Sequence, residues 1–144
     1  MNNDHLFAAM EAAWAARDSN ALLDLFTDDC IYEDKPLGVV NRGKDELRKF
    51  FNSVLEMTPD FHARYIKRVT NETYGAAECI LGGTWSGPLE GVDATGKKFT
   101  VCGVSCIDIR NGKIAKNVDY WDYKSMLRQL GIKSPQGQVP PQRL

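Results

Sequence analysis

The chain has 144 residues, 43% of them hydrophobic, and its 18 basic and 19 acidic residues give a net charge of -1. That length suits one domain with a real core and is short for two. A near-neutral charge, with no basic run interleaved with aromatics, argues against nucleic acid and anionic membrane as partners.

Leu6, Met10, Ala13 and Trp14 recur at helical spacing, which predicts an amphipathic first helix over Asp4 to Arg17 with Asp4 as its cap. Asp18, Ser19 and Asn20 interrupt it, and Ala21 to Phe26 read as a second, short helix. Cys30 to Asp34 alternate as a brief strand that ends at Lys35, Pro36, Leu37 and Gly38, where proline stops regular pairing. Gly43 precedes a third helix through Met57, with Leu47, Phe50, Phe51, Val54 and Leu55 as a wide apolar stripe. Beyond Pro59 the period becomes that of strands: Phe61 to Val69, Ala76 to Trp85, Lys98 to Ile109 and Ile114 to Tyr123, separated by turns and a Gly-rich loop. Met126, Leu127 and Leu130 then mark a closing helix, Tyr123 to Leu130, stopped by Gly131. Helices first and a mostly antiparallel sheet afterwards define an α+β domain, taken as residues 1–132. Residues 133–144, KSPQGQVPPQRL, are polar and Pro-rich and read as a flexible tail.

The first residues lack the basic and long apolar regions of a signal peptide, and no apolar run approaches the roughly 18 residues of a spanning helix. A soluble, cytoplasmic protein is expected. Cys30, Cys79, Cys102 and Cys106 have no CxxC spacing, and His5 and His62 form no pattern with them, so no metal site is expected. Cys102 and Cys106 lie four apart in one strand, roughly 13 Å from each other, too far to bridge. Core packing of reduced thiols is the expected role for the cysteines.

The stretch Asn111 to Gly131, NGKIAKNVDYWDYKSMLRQLG, carries the chemistry. Strand alternation puts Ala115, Asn117, Asp119 and Trp121 on one face and Ile114, Lys116, Val118 and Tyr120 on the other. Asp119 thus shares its face with an amide and an indole. Burial raises a carboxyl pKa toward neutrality, where a general acid or base works. The alternative is a strand-end aspartate that is solvated or caps the next helix. Asp34 is equally open to two readings, a solvated turn aspartate or a pocket base. Tyr32 shares its strand face with Asp34, so the two enter or leave a pocket together. If both point inward, two carboxyl groups and a tyrosine converge on one cavity, and mutual repulsion separates them into an acid and a base that need no cofactor. Trp14, Trp85 and Trp121 are either core or ligand platforms. Trp85 and Trp121 fall on the faces of Leu81 and Asp119, which suits a flat, fused-ring guest. Asn117 can orient a carbonyl, satisfy Asp119, or bond loop backbone.

The order of elements, with DDCIYEDKPLG near the front and GKIAKNVDYWD near the end, resembles the cone-shaped α+β fold of the nuclear transport factor 2-like superfamily. Within it the chain is most similar to the SnoaL-like polyketide cyclases, from about Leu6 to Gly131. That resemblance implies helices packed on a curled sheet around one apolar pocket. It also implies that Asp119 is the acid/base of an intramolecular aldol ring closure on a hydrophobic carbonyl compound, with Ser105 where the cyclases carry a pocket histidine. A serine holds a carbonyl oxygen or a water but does not titrate as histidine does. The limonene-epoxide hydrolases are similar at Tyr32, Pro36, Leu37 and VDYWD. Their arginine and second aspartate fall on Cys79 and Leu81, and Asp34 stands in place of their asparagine. The ketosteroid isomerases are similar at YEDKPLG, where Asp34 matches the general base; their oxyanion donors fall on Met10 and Ser105.

These readings converge on a cofactor-free cyclase or isomerase. Asp119 and Asp34 are its acid/base pair, Tyr32, Ser105 and Asn117 bond the enolate, and Trp14, Trp85, Trp121 and Leu81 surround the guest. An epoxide hydrolase and a noncatalytic binding module are the alternatives. A homodimer through the outer sheet face is implied by the superfamily, and Val118, Tyr120, Cys102 and Cys106 on the even-numbered faces are compatible with it.

Overall fold

The computed structural model describes residues 2–133, so most of the tail expected over 133–144 lies outside the described residues. It begins with α1 (His5–Ala16), which buries Leu6, Phe7, Met10, Ala13 and Trp14 along one stripe. The Asp4 carboxylate does not cap this helix; it takes a 2.6 Å hydrogen bond from Thr70 and another from Asn2, fastening the start of the helix to the sheet. Arg17 ends α1 in the left-handed region at φ 56, and its guanidinium donates to the carbonyls of Pro59 and Phe61. The end of the first helix is thereby tied to the turn that launches the sheet.

Next comes α2 (Ser19–Leu23), capped by Asp18, whose carboxylate accepts from the Ala21 amide at 3.1 Å. This helix starts two residues earlier than expected and stops before Phe26, because that residue belongs to β1 (Phe26–Asp34). The acidic run Thr27 to Asp29 masks the strand period there, and its pairing with β8 (Lys113–Trp121) shifts register between Phe26 and Ile31. A short strand absent from the sequence reading, β2 (Val39–Arg42), pairs antiparallel with β1 after the turn at Gly38, where φ is 67. Four residues at a sheet edge bury too little to leave a period. Helix α3 (Gly43–Met57) follows as expected, with the Glu46 carboxylate reaching back to the Arg42 amide.

The remaining strands are β3 (His62–Thr70), β4 (Tyr74–Thr84) and β7 (Lys98–Arg110); a two-residue hairpin, β5 (Pro88–Leu89) with β6 (Val92–Asp93), occupies the Gly-rich loop. Their order in the main sheet is β2-β1-β8-β7-β4-β3, with β1 and β8 parallel and every other pair antiparallel. Helix α4 (Tyr123–Gln129), capped by Asp122, is the last helix among the described residues.

Two apolar clusters build the core. One joins α1, α2 and α3 to the sheet around Phe7, Phe26, Phe51 and Ile107; the other joins α4 to the far ends of β4 and β7 around Phe99, Val101 and Met126. Leu81 packs against both. The inner sheet face carries the odd-numbered residues of β7 and the even-numbered residues of β1, including Cys30, Tyr32 and Asp34. On β8 strict alternation fails near Ala115. Ile114 is fully buried although alternation places it outward, because the β7 to β8 register shifts between Asp108 and Ile109. Cys30 and Cys79 are buried as expected, but Cys102 is exposed and Cys106 half-buried. Their even numbers on β7 turn both toward the outer face.

Candidate active site

Between the two clusters lies a cavity of about 210 Å³, walled by the inner sheet face, α1, α3 and α4. Asp119, Asp34, Tyr32 and Ser105 line its polar end, and Trp14, Trp85, Trp121 and Leu81 contribute to its apolar wall. Asn117 does not reach it. At 1% exposure the amide lies behind Asp119, so of the residues expected to touch a guest it is the one the fold withholds.

Sheet register brings the polar groups together. Ser105 on β7 is paired with Asp119 on β8, Asp119 is also paired with Asp34 on β1, and Tyr32 is paired with Asn117. The crossing is tight at Gly103, which pairs with Trp121; a Cβ added there would fall 2.8 Å from Trp121 Cβ and closer still to the Tyr120 carbonyl oxygen. Glycine at this position therefore lets β8 approach β7 beside the site.

Asp119 is the centre of the network. Its Oδ1 accepts from Ser105 Oγ at 2.5 Å and from Asn117 Nδ2 at 2.8 Å, and its Oδ2 accepts from the Tyr32 hydroxyl. A carboxylate has about four acceptor positions. Three are filled here, and the one left open is on Oδ2. Burial pushes the Asp119 pKa up, against the pull of Ser105, Tyr32 and Asn117, which favour the anion. The opposing influences leave a desolvated carboxylate that is positioned and has room for one more proton.

Asp34 is held separately. Trp121 Nε1 lies 3.1 and 3.0 Å from its two oxygens, and the Leu37 amide donates to Oδ1 at 3.1 Å. Burial raises its pKa to about 6, opposed by the Trp121 and Leu37 bonds and helped by the negative charge of Asp119. Trp121 thus does more than pack: its indole is the hydrogen-bond partner of the second carboxyl group.

The wall is aromatic on several sides. Trp14 stacks on Phe51 at 4.3 Å, and Phe50 tilts against Tyr32 at 5.5 Å. Trp85 packs edge-on to Phe99, and its Nε1 is buried with no hydrogen-bond partner among the described residues. Among the described residues no Lys, Arg or His lines the cavity. Cys79 and Leu81, the positions matched to an arginine and an aspartate in the epoxide hydrolases, both face it. Among the described residues no three His, Cys, Asp or Glu side chains group as a metal site, and no helix is long and apolar enough to cross a membrane.

One functional candidate escaped the sequence reading. Tyr65, 5% exposed, projects from β3 into the cavity beside Ser105 and within the field of Asp119. Alternation places Ala63 and Tyr65 on one face of β3, which was a usable signal, but no quoted motif extends to that strand.

This architecture, helices on one face of a curled six-stranded sheet with an acid-lined cavity between, is that of the ketosteroid isomerase-like, nuclear transport factor 2-like fold. Among solved structures it is similar to a hypothetical protein with ketosteroid isomerase-like fold from Catenulispora acidiphila, in complex with trimethylamine, at 24% identity and a TM-score of 0.79, covering 96% of this chain and 100% of that one. It is also similar to IdmH from Streptomyces antibioticus, assigned as a polyketide cyclase, at 22% identity and a TM-score of 0.79 over 92% and 100% of the two chains. AclR from Streptomyces galilaeus, assigned as a hydroxylase, matches at 21% identity and a TM-score of 0.75 over 90% and 95%. At such identities the likeness is one of fold, and the assigned chemistries differ. No curated protein shows significant similarity to the chain. Residues 4–130 match the SnoaL-like polyketide cyclase family, and the protein belongs to that family.

Proposed function

We propose that the protein is a cofactor-independent cyclase or isomerase that removes and returns a proton α to a carbonyl of a hydrophobic, polyketide-type small molecule. The observation that carries this reading is Asp119: a desolvated carboxylate with three donors and one acceptor position left on Oδ2, facing an apolar cavity. The substrate C–H bond breaks toward that oxygen, and its electron pair moves onto the carbonyl as an enolate. In a ring closure the enolate carbon attacks a second carbonyl, whose oxygen takes its proton from Asp34, the group with a pKa of about 6. Tyr32, Ser105 and Asn117 act by orienting Asp119, not by holding the enolate. A dry cavity of about 150 Å³ takes up one benzene. At about 210 Å³, this cavity suits one or two rings, and a larger polycycle would extend through the mouth.

Two observations set the alternatives back. Cys79 and Leu81 offer no cation and no carboxylate for activating water on an epoxide. The tryptophans leave the cavity open and Asp119 faces it, which sets back an assembly module with a filled interior; a module that only binds a small molecule is separated by the α-proton exchange assay. We further propose that two copies meet through the outer sheet face, where Val104 and Tyr120 are exposed beside Cys102.

Exchange of the α-protons of 2-tetralone in D2O, followed by NMR, tests the reading without knowledge of the natural substrate. The wild-type protein is expected to accelerate exchange, and Asp119→Asn to lower the rate by about 10²- to 10⁴-fold. Equal rates for the two proteins would remove Asp119 from the chemistry.

A further inference from the structure

The donors that sequence comparison assigned to the enolate are all spent elsewhere. Tyr32 and Ser105 give their protons to Asp119, and Trp121 gives its own to Asp34. Ser53 bonds the Phe50 carbonyl at 2.7 Å. An enolate formed beside Asp119 still needs a donor, because its oxygen gains charge in a cavity that no cation lines among the described residues.

We infer that Tyr65 is the hydrogen-bond donor to the substrate carbonyl, and so a catalytic residue of this site. The inference rests on the acid/base reading above and supplies the group that reading lacks. Tyr65 stands on β3, opposite Cys79 on β4, which in turn pairs with Gly103 on β7, one strand from Trp121. Its hydroxyl lies beside Ser105, and because the Ser105 proton is directed to Asp119, Tyr65 is the donor of that pair, with a proton that can turn from Ser105 Oγ to a carbonyl oxygen in the cavity. The other donors on the wall are placed differently: Thr58 sits against Gly83 at the end of α3, and Trp85 sits against Phe99 in the α4 cluster.

Tyr65 is also held in place. Its backbone amide donates to Glu11 Oε1 at 2.8 Å, and its ring tilts against Phe7 at 5.4 Å between centroids. A donor fixed before the substrate arrives costs no reorganisation when the charge develops. Burial and the charge of Asp119 push the Tyr65 hydroxyl pKa well up, so it stays a donor at every working pH. Tyr65 and Asp119 line the same cavity, and the charge of Asp119 acts on Tyr65, so one small ketone is asked to meet both groups. The ketosteroid isomerases' tyrosine falls on Met10 of α1; here the same office is filled from the sheet.

Two readouts on 2-tetralone test this. Tyr65→Phe keeps the ring that packs on Phe7, and it is expected to slow α-proton exchange about 100-fold at saturation with little change in KM and no shift in the pH profile. The infrared band of bound 2-tetralone labelled with ¹³C at the carbonyl is expected to rise in frequency when the Tyr65 hydrogen bond is lost. Tyr32→Phe is the control: it perturbs Asp119, so it shifts the pH profile and leaves the carbonyl band in place. Exchange by Tyr65→Phe within twofold of wild type, or an unchanged carbonyl band, overturns the assignment. A wild-type protein that binds the ketone without exchanging its protons overturns the acid/base reading instead, and the band still reports on Tyr65.

Discussion

The two faces of the strands β7 and β8 are built from the same stretch of chain and obey opposite rules. On the inner face of these two strands the polar side chains converge on specific partners: Ser105 and Asn117 on Asp119, and Trp121 on Asp34. On the outer face, one residue away in sequence, Val104 and Tyr120 are 38% and 46% exposed and no side-chain hydrogen bond engages the Tyr120 hydroxyl among the described residues. Water satisfies a polar group outside at no cost. Inside, a carboxylate survives only if the fold supplies donors, so the inner face specifies geometry and the outer face mainly specifies contact.

Neutralising Asp34 should give the largest departure between the faces in stability. Its folded pKa of about 6 lies above the ordinary carboxyl value of 3.8. Protonated Asp34 is thus favoured by folding, and its contribution is full below about pH 4 and lost as pH rises through 6. Keeping it ionised in the folded state costs on the order of 3 kcal/mol above that range. Asp34→Asn is accordingly expected to be more stable than wild type at pH 8 by about that amount, with the gap closing by pH 4. Urea unfolding at pH 4, 6 and 8 measures this, and a gap independent of pH would count against the burial argument.

A smaller effect is expected behind the site. Asn117→Leu removes one donor from Asp119 and should destabilise the protein by roughly 1.5–3 kcal/mol at pH values where Asp119 is ionised. It also moves the acid limb of the exchange profile to higher pH, because the anion has lost support. If only stability changed and the limb stayed fixed, Asn117 would be packing rather than tuning.

The outer face should respond least. Val104→Lys is expected to alter the stability of the single chain by less than about 0.5 kcal/mol, as exposed substitutions do. The same change places like charges opposite each other across the proposed two-fold, so light scattering should show the assembly reduced to single chains. A mass that is unchanged by the substitution would argue for another interface.

Much of this contrast was legible in the sequence. The odd positions of β8 identified Asp119 and Trp121 as neighbours, and Tyr32 and Asp34 shared a face as the period of two requires. Helix α3 runs to Met57 as expected from its apolar stripe, with Gly43 as its first residue rather than the residue just ahead of the helix. Where reading failed, the cause was local. The acidic start of β1 and the four-residue β2 carry no apolar period, and a register shift between Asp108 and Ile109 reverses the face of Ile114. Cys102 and Cys106 had two readings, core packing by residue type and the outer face by parity on β7, and the fold follows parity.

The sequence by itself determined the helices and long strands, the family and the central carboxyl group Asp119, because these rest on patterns that are local along the chain or concentrated in the segment from Lys113 to Leu130. Tertiary structure alone decided who bonds whom. Tyr32 and Asp119 are 87 positions apart, as are Asp34 and Trp121, and their pairing follows from the parallel contact of β1 with β8. Tyr65 arrives from two strands further away, through β4, where no spacing rule links it to the site. A side chain's chemistry is written in its own position, but its partners are set by strand register across the sheet, and register is a property of the whole fold.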